Sequence, residues 1–135
     1  KDDGIKISDF ITIHLPLNKE TRDFISENEF SKMRKSVILV NAARGGIVNE
    51  NALVNALSNK TIRAAALDVF EQEPPPENHA IYKFSNVLLT PHNSALTLEC
   101  RRRMAIEAAE SILYYLVDRS KLNLNNIVNK EVLKI

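Results

Sequence analysis

Four short apolar runs, separated by helical patterns and loops, constrain this chain more than any other feature. They cover residues 10–15 (FITIHL), 37–42 (VILVNA), 64–69 (AAALDV) and 86–90 (NVLLT). Each is nearly continuous in apolar residues rather than alternating, the pattern of strands covered on both faces of a parallel sheet. Between them lie helical signals. Ser26 followed by Glu29 reads as a capping box opening a short helix through Met33. Asn49 caps a second helix, in which Leu53, Val54 and Leu57 make an apolar face and Asn59 closes the end in a left-handed conformation. Strands alternating with helices predict right-handed βαβ units and a doubly wound α/β domain.

The stretch EQEPPPENHA breaks that rhythm. Three consecutive prolines, Pro74, Pro75 and Pro76, continue neither a helix nor a central strand, so a rigid loop leaves the third strand. A helical turn over residues 80–84 carries the chain to the fourth. Residues 97–118 then form a long helical pattern with an apolar stripe through Met104, Ile106, Ile112, Leu113, Leu116 and Val117. The division expected is one α/β unit over residues 1–118 and a polar, asparagine-rich tail over 119–135, read as a linker or a strand docking elsewhere.

Composition narrows the functional classes. With 135 residues, 44% hydrophobic and 26% charged, and a formal net charge of +1, the chain reads as one soluble globular domain with neither nucleic acid nor an anionic membrane as its main partner. The one dense basic cluster, Arg101, Arg102 and Arg103, has no aromatic neighbours and reads as a solvated helix face. A single cysteine, Cys100, excludes an internal disulfide and fits a reducing, cytoplasmic compartment. No apolar run reaches the length of a membrane span.

In open α/β sheets ligands bind at the carboxyl ends of the strands. The first run ends in His14, Leu15 and Pro16, and the second in Ala42, Ala43 and Arg44. The third ends in Asp68 with Glu73 five residues on, and the fourth in Thr90, Pro91 and His92. An arginine, two carboxylates and a histidine therefore converge on one edge. Arginine presents a planar fork that grips a carboxylate and polarises an adjacent carbonyl. Histidine exchanges a proton near neutrality, and a neighbouring glutamate stabilises its imidazolium and fixes its orientation. This set describes proton transfer coupled to hydride transfer with a nicotinamide, and no metal is expected. Taken singly, His92 could cap the following helix, Asp68 could cap a turn, Glu73 could be solvated and Arg44 could bond loop carbonyls. His14, inside an apolar run, reads as a satisfied core histidine, and His79, in the proline loop, as solvated.

The segments DFITIHLPLNKETRDFI, VNAARGGIVNENALVNAL, AAALDVFEQEP and LLTPHNSALT resemble, in order and spacing, the NAD-dependent D-isomer-specific 2-hydroxyacid dehydrogenases, across nearly the whole chain. That resemblance implies Arg44 as the ligand of the substrate carboxylate and reacting carbonyl. It implies His92 as acid/base, Glu73 as its partner, and Asp68 as a contact of the nicotinamide carboxamide. Leu15, Pro16, Ala42, Ala43, Ser94 and Ala95 would line the cofactor, alongside Arg44 and His92. Gly45 and Gly46 would let the backbone turn tightly away from Arg44. Asn59 and Ala64 stand where the family often has glycine, and Ser94 where it often has glycine or alanine. NAD is the family's usual cofactor, with NADP not excluded, and dimerisation through the cofactor domain is expected.

A dinucleotide fold also needs G-x-G-x-x-G after its first strand. With only Gly4, Gly45 and Gly46, this chain cannot contain it. The expectation is therefore the second half of a Rossmann-type doubly wound parallel sheet, ending in a long helix that returns toward an absent substrate domain. The chain would be a fragment, inactive alone, with its first strand left as an unpaired edge. The leading functional expectation is hydride transfer between nicotinamide and a D-2-hydroxy or 2-keto acid, the acid itself left open. The alternative is an NADH-sensing binding module of the corepressor kind on the same fold. A purely structural remnant is disfavoured by the intact Arg44, Glu73 and His92.

Overall fold

The computed structural model describes residues 1–132, in two compact units, Lys1–Ser94 and the described residues from Ala95 on. In the first unit the order is α1 (Asp2–Ile7), β1 (Phe10–Ile13), α2 (Glu27–Phe30), β2 (Ile38–Asn41), α3 (Glu50–Ser58), β3 (Ala64–Leu67) and β4 (Val87–Leu89), with a 3-10 turn at Ala80–Lys83 before β4. The strands form one parallel sheet in the order β1-β2-β3-β4. Ile13 pairs with Asn41, Asn41 with Leu67 and Leu67 with Leu89, so all four strands end at one level. That shared level makes the carboxyl edge a site. The α/β class and the four strands match expectation; α1 is an element the sequence reading did not anticipate.

The core lies where central strands meet helices. Val37, Leu39, Ile47, Leu53 and Ile62 are fully buried, and α3 turns Ala52, Leu53, Ala56 and Leu57 inward. The buried stripe of α3 thus lies one residue toward the N-terminus of the expected one, with Val54 only half-buried. Both expected N-caps form. Ser26 N–H donates to Glu29 Oε2 at 3.1 Å, and Asn49 Oδ1 accepts from Ala52 N–H at 2.9 Å. The helical stretch after Ser26 ends at Phe30 rather than Met33. At the other end of α3 the expectation fails by one residue. Asn59 is not left-handed (φ −84°), and Lys60 takes that conformation (φ +54°). Lys60 N–H donates to Leu57 O at 3.1 Å and Thr61 N–H to Ala56 O at 2.8 Å, a Schellman closure with Lys60 just past the cap.

β1 is an edge of the sheet, as expected, but the edge strands lack the expected cover on both faces, because an edge has no neighbour to cover it. Phe10 on β1 is 72% exposed and Leu88 on β4 is 66% exposed, while Leu39 and Ala65 on the inner strands are buried. His14 lies beyond the end of β1 and is exposed, its Nε2 2.9 Å from Thr12 Oγ1, so it is not a core histidine.

The second unit holds α4 (Leu98–Val117), capped by Thr97, whose Oγ1 accepts from Cys100 N–H at 3.2 Å. The apolar stripe is present on this helix, but none of its residues is buried. The tail forms 3-10 turns at Arg119–Lys121, Leu124–Asn126 and Lys130–Val132 rather than a linker or strand, and its positions 133–135 lie outside the described residues. No helix among the described residues is long and apolar enough to cross a membrane.

Candidate active site

Each strand of the first unit delivers a loop to the carboxyl edge. Asn41, the last residue of β2, is 2% exposed, and its side chain ties the turn that follows. Its Oδ1 accepts from Ala43 N–H at 3.1 Å, and its Nδ2 donates to Arg44 O at 3.0 Å. This residue was missed as a determinant of the site; a lone amide ending an apolar strand was the available signal. Arg44 itself is exposed, and its Nη1 donates to Ala43 O at 2.6 Å. Its fork therefore rests on a loop carbonyl and touches neither Glu73 nor His92.

The two glycines after Arg44 have different reasons. Gly46 has φ +78°, a left-handed turn. Gly45 is required by proximity, since a Cβ there would lie 1.7 Å from Phe70 O and 2.1 Å from Phe70 C. The expected tight turn thus belongs to Gly46 alone, and Gly45 is where the Arg44 loop touches the loop that carries Glu73.

Glu73 and His92 come together. His92 Nδ1 lies 2.7 Å from Glu73 Oε2, and Glu73 Oε1 accepts from Phe70 N–H at 3.0 Å. A carboxylate only accepts, so Nδ1 carries the proton and donates. Nε2 has no hydrogen-bond partner among the described residues and is the nitrogen available to a ligand. Donation from His92 and from Phe70 N–H holds the Glu73 carboxyl below the usual glutamate range. His92 has φ +51°, a conformation that costs a non-glycine residue about 1–3 kcal/mol and persists where surrounding bonds impose it. Glu73, Thr90 and His92 line a cleft of about 540 Å³ with Phe70, Tyr82 and Leu89.

Asp68 imposes that conformation. Only 5% exposed, it accepts from Thr90 Oγ1 at 2.5 Å and Asn93 N–H at 2.9 Å through Oδ1, and from Ser94 N–H at 2.9 Å through Oδ2. Burial pushes its carboxyl up, but the bonds from Thr90, Ser94 and Asn93 outweigh burial and hold it well below the usual aspartate range. The residues flanking His92 are thus pinned from one buried carboxylate. Because the folded value is depressed, the stability Asp68 contributes is complete above about pH 4 and is lost as pH falls further, where the unfolded chain binds the proton first. Asp68→Asn turns an amide NH₂ toward a backbone donor, Ser94 N–H or Asn93 N–H, and should cost about 1–3 kcal/mol near neutrality. Urea unfolding from pH 3 to pH 7 should show the acid-dependent loss flattened in this variant.

The remaining expected positions occupy the same edge of the first unit. Leu15 and Pro16 follow β1 and are exposed, Ala42 and Ala43 follow β2 and are half-buried, and Ser94 is exposed after β4. Ala95 opens the second unit. His79 differs from expectation: its side chain is only 15% exposed and is hydrogen-bonded to Glu50.

A parallel α/β sheet with small residues and an imidazole at the carboxyl ends of its strands has the ligand-binding edge of an open α/β domain. Ala42 and Ala43 are small, half-buried residues after β2, and His92 Nε2 has no hydrogen-bond partner among the described residues, a lining compatible with a flat heteroaromatic ring. Residues 1–94 match the family model for the D-isomer specific 2-hydroxyacid dehydrogenase NAD binding domain, and the chain belongs to this family. It is 48% identical over 134 residues to a glyoxylate reductase of Aeropyrum pernix, covering 99% of this chain and 39% of that protein. It is 44% identical to a D-3-phosphoglycerate dehydrogenase of Methanocaldococcus jannaschii, over 92% of this chain and 24% of that one. Among solved structures it resembles D-lactate dehydrogenase with NAD+ from Lactobacillus jensenii, with a TM-score of 0.80 and 31% identity over 84% of this chain and 38% of that one. The chain spans well under half the length of these relatives, and NAD is the cofactor of the domain it matches.

Proposed function

We propose that the whole protein carrying this chain is an NAD-dependent 2-hydroxyacid dehydrogenase that interconverts a small D-2-hydroxy acid and its 2-keto acid. The observation that carries the reading is the His92–Glu73 pair, with Nδ1 committed to Glu73 at 2.7 Å and Nε2 left over at the sheet edge. When bound at this edge, a nicotinamide would supply the chemistry of hydride transfer at the substrate's second carbon. In reduction, His92 gives its Nε2 proton to the keto oxygen as that oxygen gains charge; in oxidation it takes the proton back. Glu73 holds the ring and balances the imidazolium. Arg44 moves its fork from Ala43 O to the substrate, gripping the carboxylate and polarising the carbonyl. Asp68 and Ser94, with Leu15, Pro16, Ala42 and Ala43, hold the nicotinamide end. The proposal includes a homodimer through the cofactor domain, read by sedimentation, and a cytoplasmic location.

The test is NADH oxidation by the whole protein with glyoxylate, hydroxypyruvate, pyruvate and 3-phosphohydroxypyruvate. The relatives named for glyoxylate reduction make glyoxylate the first substrate to offer. Turnover is expected on at least one acid. Arg44→Lys keeps the charge but loses the fork and should raise KM for the keto acid about 10- to 100-fold, with a smaller effect on NADH affinity. NADH binding without turnover on any acid would replace this reading with a cofactor-sensing binding module.

A further inference from the structure

Glu73 stands on a long loop between β3 and β4, and its grip on His92 is only as good as the placement of that loop. The loop is braced at two points by one residue that the mechanism does not use. Glu50, the first residue of α3, exchanges hydrogen bonds with Glu71: Glu50 N–H donates to Glu71 Oε1 at 2.9 Å, and Glu71 N–H donates to Glu50 Oε1 at 2.6 Å. The other Glu50 oxygen, Oε2, lies 2.9 Å from Nε2 of His79, on the far side of the three prolines. His79 Nδ1 accepts from Ile81 N–H at 3.2 Å, so Nε2 carries the proton and donates to Glu50. Both side chains of this pair are about 85% buried, at 15% and 14% exposure. The His79 ring sits edge-on to Phe70 at 6.1 Å and to Tyr82 at 5.9 Å between centroids, and Phe70 is the residue whose N–H holds Glu73.

We infer that Glu50 and His79 are positioning residues, which clamp both ends of the Glu71-to-His79 segment to α3 and thereby hold Glu73 against His92. Glu71 lies two residues before Glu73, and Phe70 is shared by the clamp and by Glu73 itself. Releasing Glu50 frees Glu71, and releasing His79 frees the return of the loop. In either case the Glu73 carboxylate can drift from Nδ1, while Phe70 and Ile81, both buried in the hydrophobic core, keep the ends of the segment on the fold. The inference rests on the dehydrogenase reading for its kinetic consequences, but its structural claim about His92 does not.

Two readouts on the whole protein separate these parts. Kinetically, Glu50→Ala and His79→Leu should lower kcat about tenfold or more, as displacements near 1 Å do, with KM for NADH and keto acid changed less. His79→Gln, which still offers an N–H to Glu50, should restore most of the loss. In a Glu73→Gln background the added effect of Glu50→Ala should largely vanish, because a residue acting through Glu73 has nothing left to position. Independently of turnover, nitrogen NMR of the His92 ring should show the Nδ1–H tautomer in the wild type and a tautomer mixture in Glu50→Ala and His79→Leu. An unchanged His92 tautomer in both variants overturns the clamp whether or not the protein turns over. An additive loss in the double variant likewise reduces Glu50 to a structural residue. A wild type that shows the Nδ1–H tautomer but reduces no keto acid would sink the dehydrogenase reading and leave the clamp to be judged by the tautomer alone.

Discussion

Gly45→Ala will be strongly damaging for a substitution that adds only one methyl group. The added methyl lies 1.7 Å from Phe70 O, 2.1 Å from Phe70 C and 2.7 Å from Glu71 N, all backbone atoms with no side-chain rotamer to yield. The clash is relieved only if the Phe70–Glu71 segment or the Arg44 turn moves as a body. Overpacking costs about 1–3 kcal/mol and occasionally more, and backbone against backbone belongs at the upper end. At about 4–8 °C per kcal/mol for a unit of this size, thermal unfolding by circular dichroism should fall by roughly 10 °C or more. Phe70 N–H holds Glu73 and Glu71 holds Glu50, so kcat should fall with stability. Gly4 supplies the control. No atom lies within 4 Å of a Cβ there, and it sits inside α1, so Gly4→Ala should raise stability by about 0.5–1 kcal/mol and leave activity alone. If both alanines prove harmless, the contact between the two loops is not what fixes their spacing.

Gly45 also shows what kind of information the sequence carried. Strand positions were legible because they depend on local apolar continuity, and the edge at which Arg44, Asp68, Glu73 and His92 gather was legible because parallel strands must end together. The details that fix the site were not, because they depend on which loop lies against which. Nothing in the spacing of Gly45 announces that Phe70 passes beneath it. His79 was misread as solvated because its burial comes from Glu50, Phe70 and Tyr82, the first of which lies 29 residues away. His14 was misread the other way, because it lies just past the end of β1, and an apolar run does not mark where its strand stops. Local errors were small, as at the end of α3, where Ser58 still belongs to the helix and the left-handed residue falls at Lys60 instead of Asn59.

His92→Ala tests the chemistry against the architecture. Removing the imidazole takes away the ring nitrogen that Glu73 leaves available at the sheet edge, and kcat should fall by roughly 10²–10⁴-fold, the usual contribution of a positioned acid–base group. The backbone at position 92 makes a second, opposite prediction. Its φ of +51° disfavours alanine as it disfavours histidine, whereas glycine adopts it freely. His92→Gly should therefore be as inactive as His92→Ala but more stable than it by about 1 kcal/mol, since both lose the bond to Glu73 and only glycine escapes the strain. Asp68 keeps the loop in place in both variants, through Thr90, Asn93 and Ser94. A histidine retained at a position that glycine would occupy more comfortably is held there for its ring. Steady-state NADH oxidation beside thermal unfolding of the three proteins decides the point: full activity in His92→Ala would remove the ring from the mechanism, and equal stability of the two variants would remove the strain.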